Sequence, residues 1–276
     1  MLSVRTDLAQ EAHALWEREA GKTTELPGVK ARQWEEQGIR RHQVRILDRV
    51  GEEALGKPVG RYETLWIPGS GRPTPEVAEL LGGILTELMD LEEGSSVLVV
   101  GLGNEAMTPD AIGPLTARGL LVTRHLRQQL PELFSGLRPV SALVPGVLGT
   151  TGMESAEIVK SVVKATRPDR VLVVDALAAA EQDRLCRVLQ VTDAGIVPGS
   201  GVGNSRAAFS RKTLGVPVAA VGVPTVLDAG TKTEPLLVTP RDIDARVRRL
   251  SSLISTGIHK ALFPDWTNEE IAQFVD

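Results

Sequence analysis

Apolar and polar residues along the chain fall into two alternating patterns. Helical spacing marks residues 8–19 (Leu8, Ala12, Leu15, Trp16) and residues 75–90, where Val77, Leu80, Leu81, Ile84, Leu85 and Leu88 form a stripe behind Pro75. It returns in residues 154–165 (Ile158, Val159, Val162, Val163) and 240–262 (Ile243, Val247, Leu250, Leu253, Ile254, Ile258). A further helix is expected over residues 111–119. Short apolar runs predict strands at residues 62–67, 97–100, 140–144, 170–175, 187–192 and 216–222. Strands alternating with helices argue for an α/β fold, a mostly parallel sheet with helices on both faces. No repeat and no linker divides the chain, so residues 8–276 read as a single domain. Residues 1–7 read as a short, mobile leading segment, and residues 22–30 and 68–71 as loops. The basic cluster of residues 40–45 reads as a solvated strip.

The stretch around which these elements are arranged is S-S-V-L-V-V-G-L-G-N-E-A-M-T-P-D-A-I-G-P, residues 95–114. A buried strand runs into Gly101-Leu102-Gly103-Asn104, where glycine permits a sharp turn. Asp110 follows as an expected helix N-cap. Open α/β sheets place ligands at this carboxyl edge. Gly101 to Ala106 also fits G-x-G-x-x-G/A, a weak dinucleotide signal on its own. Pro109 stands against that reading, because it falls where the helix should already be running. No acidic residue ends a second strand at the right distance.

Composition narrows the chemistry. The chain has 276 residues, 42% hydrophobic, with a formal net charge of −4, which supplies no electrostatic footprint for nucleic acid. Cys186 is the single cysteine, so no internal disulfide is possible and a reducing compartment is expected. No apolar run reaches a membrane span and the N-terminus lacks a signal-peptide core, so a soluble, cytoplasmic protein without membrane contact is expected. There is no G-x-S-x-G, no H-E-x-x-H, no P-loop and no clustered Cys/His set, so neither metal nor cofactor is expected. What remains is the carboxylate pair Asp110 and Asp175, the second closing the run R-V-L-V-V-D. Two carboxylates held close cannot both ionise freely, which makes one a general base and the other a general acid. On spacing alone, the reading of each aspartate as a helix cap or turn closer is the favoured one.

Longer motifs add to this reading. P-G-V-L-G-T-T-G-M-E (residues 145–154) and D-A-G-I-V-P-G-S-G-V-G-N (residues 193–204) resemble the germination protease family of endospore-forming bacteria. So do residues 101–114, V-T-R-H-L (122–126), V-V-D-A-L-A (173–178), G-V-P-T-V-L-D-A (222–229) and V-R-T-D-L-A-Q-E-A (4–12). The resemblance covers nearly the whole chain. It implies an atypical aspartic endopeptidase that starts the degradation of small acid-soluble spore proteins during germination in the spore core. It also implies a self-processing zymogen, a homotetramer, and a phosphorylase/hydrolase-like fold similar to that of hydrogenase-maturation peptidases. The family's catalytic aspartates fall on Asp110 and Asp175. Gly101, Gly103, Asn104, Gly199, Gly201 and Gly203 are expected to line the substrate cleft. Processing falls between Asp7 and Leu8, making residues 1–7 an exposed propeptide able to reach the active site. Ala180 departs from the family by standing where an arginine is expected, and the chain is shorter at its C-terminal end than other members. A metal-dependent maturation-type peptidase, a nucleoside-binding enzyme and a non-catalytic binding module are the alternatives.

Overall fold

The computed structural model describes residues 6–20, 26–69, 74–203, 206–229 and 236–275. Within them the strands are β1 (Val29–Glu36), β2 (Ile39–Ile46), β3 (Gly60–Trp66), β4 (Val97–Gly101), β5 (Val140–Leu143), β6 (Arg170–Ala179), β7 (Val188–Thr192), β8 (Val218–Asp228) and β9 (Leu237–Val238). The helices are α1 (Ala9–Ala20), α2 (Arg49–Leu55), α3 (Pro75–Met89), α4 (Ile112–Arg118), α5 (Arg124–Gln129), α6 (Pro131–Phe134), α7 (Leu148–Thr151), α8 (Ser155–Thr166), α9 (Arg211–Leu214), α10 (Ile243–Leu262) and α11 (Asn268–Ala272). No described helix is long and apolar enough to cross a membrane. Residues 1–5, 70–71 and Asn204, which carry parts of the expected propeptide and loops, lie outside the described residues.

All nine strands join one sheet in the order β1-β2-β3-β7-β8-β6-β4-β5, with β9 on β8. The four strands β5, β4, β6 and β8 pair in parallel, as their apolar runs suggest. The α/β class therefore holds, but the sheet is mixed, because β7, β3, β2 and β1 extend it in antiparallel sense. Residues 29–36 and 39–46 are a hairpin that apolar periodicity does not reveal. Gln37 and Gly38 turn it with φ of 53° and 74°, the double positive φ that a tight hairpin turn requires. The basic cluster lies on β2 and is not simply solvated. Arg41 is buried, with its guanidinium on Glu36 and on the fully buried Glu63.

Alternate residues of the parallel strands point to opposite layers. Val97, Val99, Leu172, Val174, Ala219 and Val221 meet α3, α4 and α10. Leu98, Val100, Val171, Val173, Val218 and Ala220 meet α8 and the segment around Phe209 and Leu214. Helices thus cover both faces, and the loops after β4 and β6 open at the shared carboxyl end.

Candidate active site

The first carboxylate is placed by glycine packing. Beyond β4, a side chain at Gly101 would put its Cβ 2.2 Å from the Gly113 carbonyl oxygen, so α4 lies directly on the strand end. Gly103 has φ +119°, and a Cβ there would stand 2.0 Å from the Asp110 carbonyl oxygen. These approaches fold the loop back on itself, and the Asn104 N–H donates to Asp110 Oδ2 at 2.7 Å. Asp110 does not cap α4, whose cap position is Ala111; it closes a 3-10 turn, Thr108–Asp110, that starts around Pro109. The glycine loop therefore does not open directly into a helix, as a dinucleotide fingerprint would require. Burial raises the Asp110 pKa, opposed by the Asn104 hydrogen bond.

The second carboxylate comes from within a strand. β6 continues past Asp175 to Ala179, with Asp175 opposite Gly222 of β8, so Asp175 does not end its strand. The Ala176 N–H donates to its Oδ1 at 2.9 Å. The residue is 5% exposed. Burial, then the charges of Asp110 and of Asp7, holds its carboxyl well above the usual carboxylate range. Burial thus raises both carboxyls, and Asp175, which also faces the charges of Asp110 and Asp7, the further of the two.

Both line a cleft of about 580 Å³ at the carboxyl end of the sheet. Gly103, Asn104 and Gly199 line it too. Gly101 lies beneath, against α4. Gly201 stands behind Asp7, where a Cβ would meet the Asp7 Oδ2 at 2.3 Å. Gly203, with φ 74°, ends the short turn Ser200–Val202; neither Gly201 nor Gly203 is among the residues lining the cleft.

The leading segment departs most from expectation. Thr6 and Leu8 are buried, and Asp7 is itself a wall of the cleft. The Asp7 N–H donates to the Ala178 carbonyl at 2.9 Å, and the Ala178 N–H returns a bond to Asp7 Oδ2 at 2.9 Å. Leu8 fills an apolar recess with Leu177, Ala179, Leu185 and Val188. Glu11 accepts from the Ala180 and Glu181 N–H groups at 2.8 and 3.0 Å. A string of polar and apolar anchors, rather than an exposed tail, holds the described residues before α1. Sequence reasoning missed the partners of Asp7, Ser200 and Gln190; the signal available was that Thr6, Asp7 and Glu11 all belong to V-R-T-D-L-A-Q-E-A.

Among the described residues no group of three or more His, Cys, Asp or Glu is arranged to hold a metal ion. Asp7, the third carboxylate near the pair, has its oxygens engaged by Ser200 and Ala178.

A family profile described as germination protease matches residues 6–235. The chain is 41% identical to the germination protease of Caldanaerobacter subterraneus subsp. tengcongensis over 325 aligned positions, covering 100% of this chain and 99% of that one. It is 37% identical to the germination protease of Clostridium tetani over 326 positions, covering 100% of both. These alignments take in the whole of this 276-residue chain and nearly all of each relative. Among solved structures, the NiFe hydrogenase maturation protease HycI from Thermococcus kodakarensis matches with a TM-score of 0.35 and 18% identity, over 63% of this chain and 98% of that one.

Proposed function

The chain belongs to the germination protease family, and on that premise we propose that it is an endopeptidase of spore germination in which Asp110 and Asp175 activate water against a peptide bond. The observation that carries the reading is the unequal carboxylate pair in one cleft, with Asp175 raised by burial and by Asp110. Asp110, held by the Asn104 N–H, takes a proton from water as its oxygen attacks the scissile carbonyl. Asp175 supplies its proton to the carbonyl oxygen, and a proton then passes to the departing amine. The proton taken up by Asp110 goes to that nitrogen as the C–N bond breaks, and a hydroxyl proton of the tetrahedral intermediate returns to Asp175, which restores the pair. The substrates proposed are small acid-soluble spore proteins, met in the spore core. The glycine loops let substrate backbone approach the pair.

We further read residues 1–7 as a propeptide released by the chain's own cut between Asp7 and Leu8. Asp7 in the cleft wall, close enough for its charge to raise Asp175, supports that reading. The test is cleavage of a purified small acid-soluble spore protein and N-terminal sequencing of the enzyme after incubation near pH ~5, between the reference carboxylate and histidine values. Wild type should cleave and acquire a Leu8 terminus. Asp110→Asn and Asp175→Asn should each do neither, and the double variant should lose no more than either single one, because the pair acts as a unit. Near-native cleavage by a folded single variant would refute the assignment.

A further inference from the structure

One end of the sheet is left open. β1 is its terminal strand, paired on one side with β2 and on the other with no strand among the described residues. The hairpin fixes which backbone groups of β1 face outward. Gln37 and Gly38 form a two-residue turn closed by Glu36 and Ile39, and in the same register the Leu47 N–H donates to the Gly28 carbonyl at 2.8 Å. The residues that exchange bonds with β2 are therefore Glu36, Trp34, Arg32 and Lys30. Ala31, Gln33 and Glu35 turn their N–H and C=O groups outward.

Long edge strands are normally blunted by a proline, a bulge, a covering element or charge. β1 pairs with β2 over eight residues without a shift of register and holds no proline, and Lys30, Ala31, Arg32, Gln33 and Glu35 are exposed. Charge is the one such device on the strand, and it is sorted by sign. Lys30 and Arg32 occupy the first half, Glu35 and Glu36 the second. A strand of this kind repels a parallel copy of itself and attracts an antiparallel one.

A two-fold axis that pairs antiparallel edges stands perpendicular to the sheet and keeps each face on its own side, so only residues of the same face come opposite. Centring the axis on Gln33 satisfies the charges and the backbone together. Gln33 then faces the partner's Gln33, Ala31 the partner's Glu35, Arg32 the partner's Trp34 and Lys30 the partner's Glu36. The outward N–H and C=O groups of Ala31, Gln33 and Glu35 all gain partners. Arg32 lies 4.5 Å over the Trp34 ring of its own chain, and the pairing sets a second such cation–π pair beside it. An axis at Arg32 would put two guanidinium groups directly opposite each other, and an axis at Trp34 would leave only residues 32–36 paired.

We infer that β1 is the docking edge for a second copy of this chain, joined antiparallel across a two-fold axis at Gln33, so that two nine-stranded sheets become one. The inference does not rest on the peptidase reading. Four strands, β2, β3, β7 and β8, stand between β1 and the β6 strand that carries Asp175, so the contact is remote from the cleft.

Sedimentation velocity over a concentration series measures the association of the full chain. Ala31→Glu changes an exposed side chain and sets it against the partner's Glu35. It should weaken association about tenfold, because the axis repeats the repulsion twice. Ala31→Lys, with the opposite charge at the same place, should tighten association about threefold. In an assembly of four chains, Ala31→Glu should leave pairs. Cross-linking locates the axis. Cys186, the single cysteine, is buried, so a short bismaleimide should join Gln33→Cys chains in pairs and leave wild type unjoined. A wild-type chain that stays single at every concentration, equal association by Ala31→Glu and Ala31→Lys, or no cross-link at position 33 would each overturn the inference. If an Ala31 variant loses its circular dichroism spectrum, the cross-link at position 33 decides alone.

Discussion

Asp175 is a carboxyl enclosed by β6, β8 and two other acidic side chains, and that enclosure has a thermodynamic signature. Its pKa is raised in the folded chain, so the folded state binds the proton more tightly than the unfolded one. The sign follows: the contribution to stability is complete below the ordinary carboxylate pKa and is lost as pH rises through the folded value. Asparagine has no charge to bury. Asp175→Asn should therefore melt higher than wild type at pH 7, and the difference should shrink as the pH falls and vanish below the ordinary carboxylate range. A calorimetric series showing the variant less stable throughout would contradict the burial argument. Gly103 is the other residue on which the pair depends. With φ +119° and the Asp110 carbonyl oxygen 2.0 Å from any added Cβ, Gly103→Ala must displace the Asp110 turn. A displacement of about 1 Å costs on the order of 100-fold in rate. Assayed on a protein substrate, this variant should lose at least that much activity while keeping the wild-type circular dichroism spectrum.

At the scale of elements, the layer behind the site is set by how closely α3 and α10 approach. A Cβ at Gly257 would meet the Leu81 side chain at 2.5 Å, and one at Gly82 would meet the Lys260 Cβ at 2.7 Å. Gly83, one residue on, has open space. Gly257→Ala should consequently destabilise by about 1–3 kcal/mol through overpacking. Gly83→Ala should stabilise by up to about 1 kcal/mol, because the helix gains alanine's propensity without a clash. Urea titration of both variants checks this; equal effects would mean that the helices are not in the register described. The same scale explains what periodicity conceals. β1 reads V-K-A-R-Q-W-E-E and is exposed along most of both faces. An edge strand with no buried face has no reason to alternate, so its sequence carries no strand signal. Gln37-Gly38 is a weaker hairpin signature than Asn-Gly, and the basic residues of β2 obscure the strand they occupy.

At the scale of the whole molecule, the sheet has a parallel half that presents the carboxylate pair and an antiparallel half that, with α1, supports the leading segment. Leu8 and Ala9 pack into different hydrophobic clusters, one with Leu177 and Val188 and one with Val44 and Tyr62. The leading segment thus ties the two halves together beside the cleft. From the resemblance to the germination proteases we propose a homotetramer. Light scattering on the purified protein should then give four times the chain mass of 29.6 kDa; a mass of one or two chains would rule it out.

The sequence by itself determines the elements whose burial is one-sided or complete. The stripes of α3, α8 and α10 and the runs of β4, β6 and β8 are legible because desolvation dictates residue type at every turn or every second residue. Asp175 stands out for the converse reason, as a carboxylate inside such a run, whereas Asp110 comes only at the end of the loop that follows β4. Only tertiary structure decides that Asp175 lies within a longer strand, because the β6 residues after it are as apolar as those before it. Tertiary structure also decides the direction of β7 and the fate of Asp7. A strand's apolar pattern is the same read in either direction, and nothing local in V-R-T-D-L-A distinguishes a free tail from a segment bound at a strand edge. Those outcomes depend on groups as far along the chain as Ala178, Gln190 and Ser200, which only the folded sheet brings to Asp7.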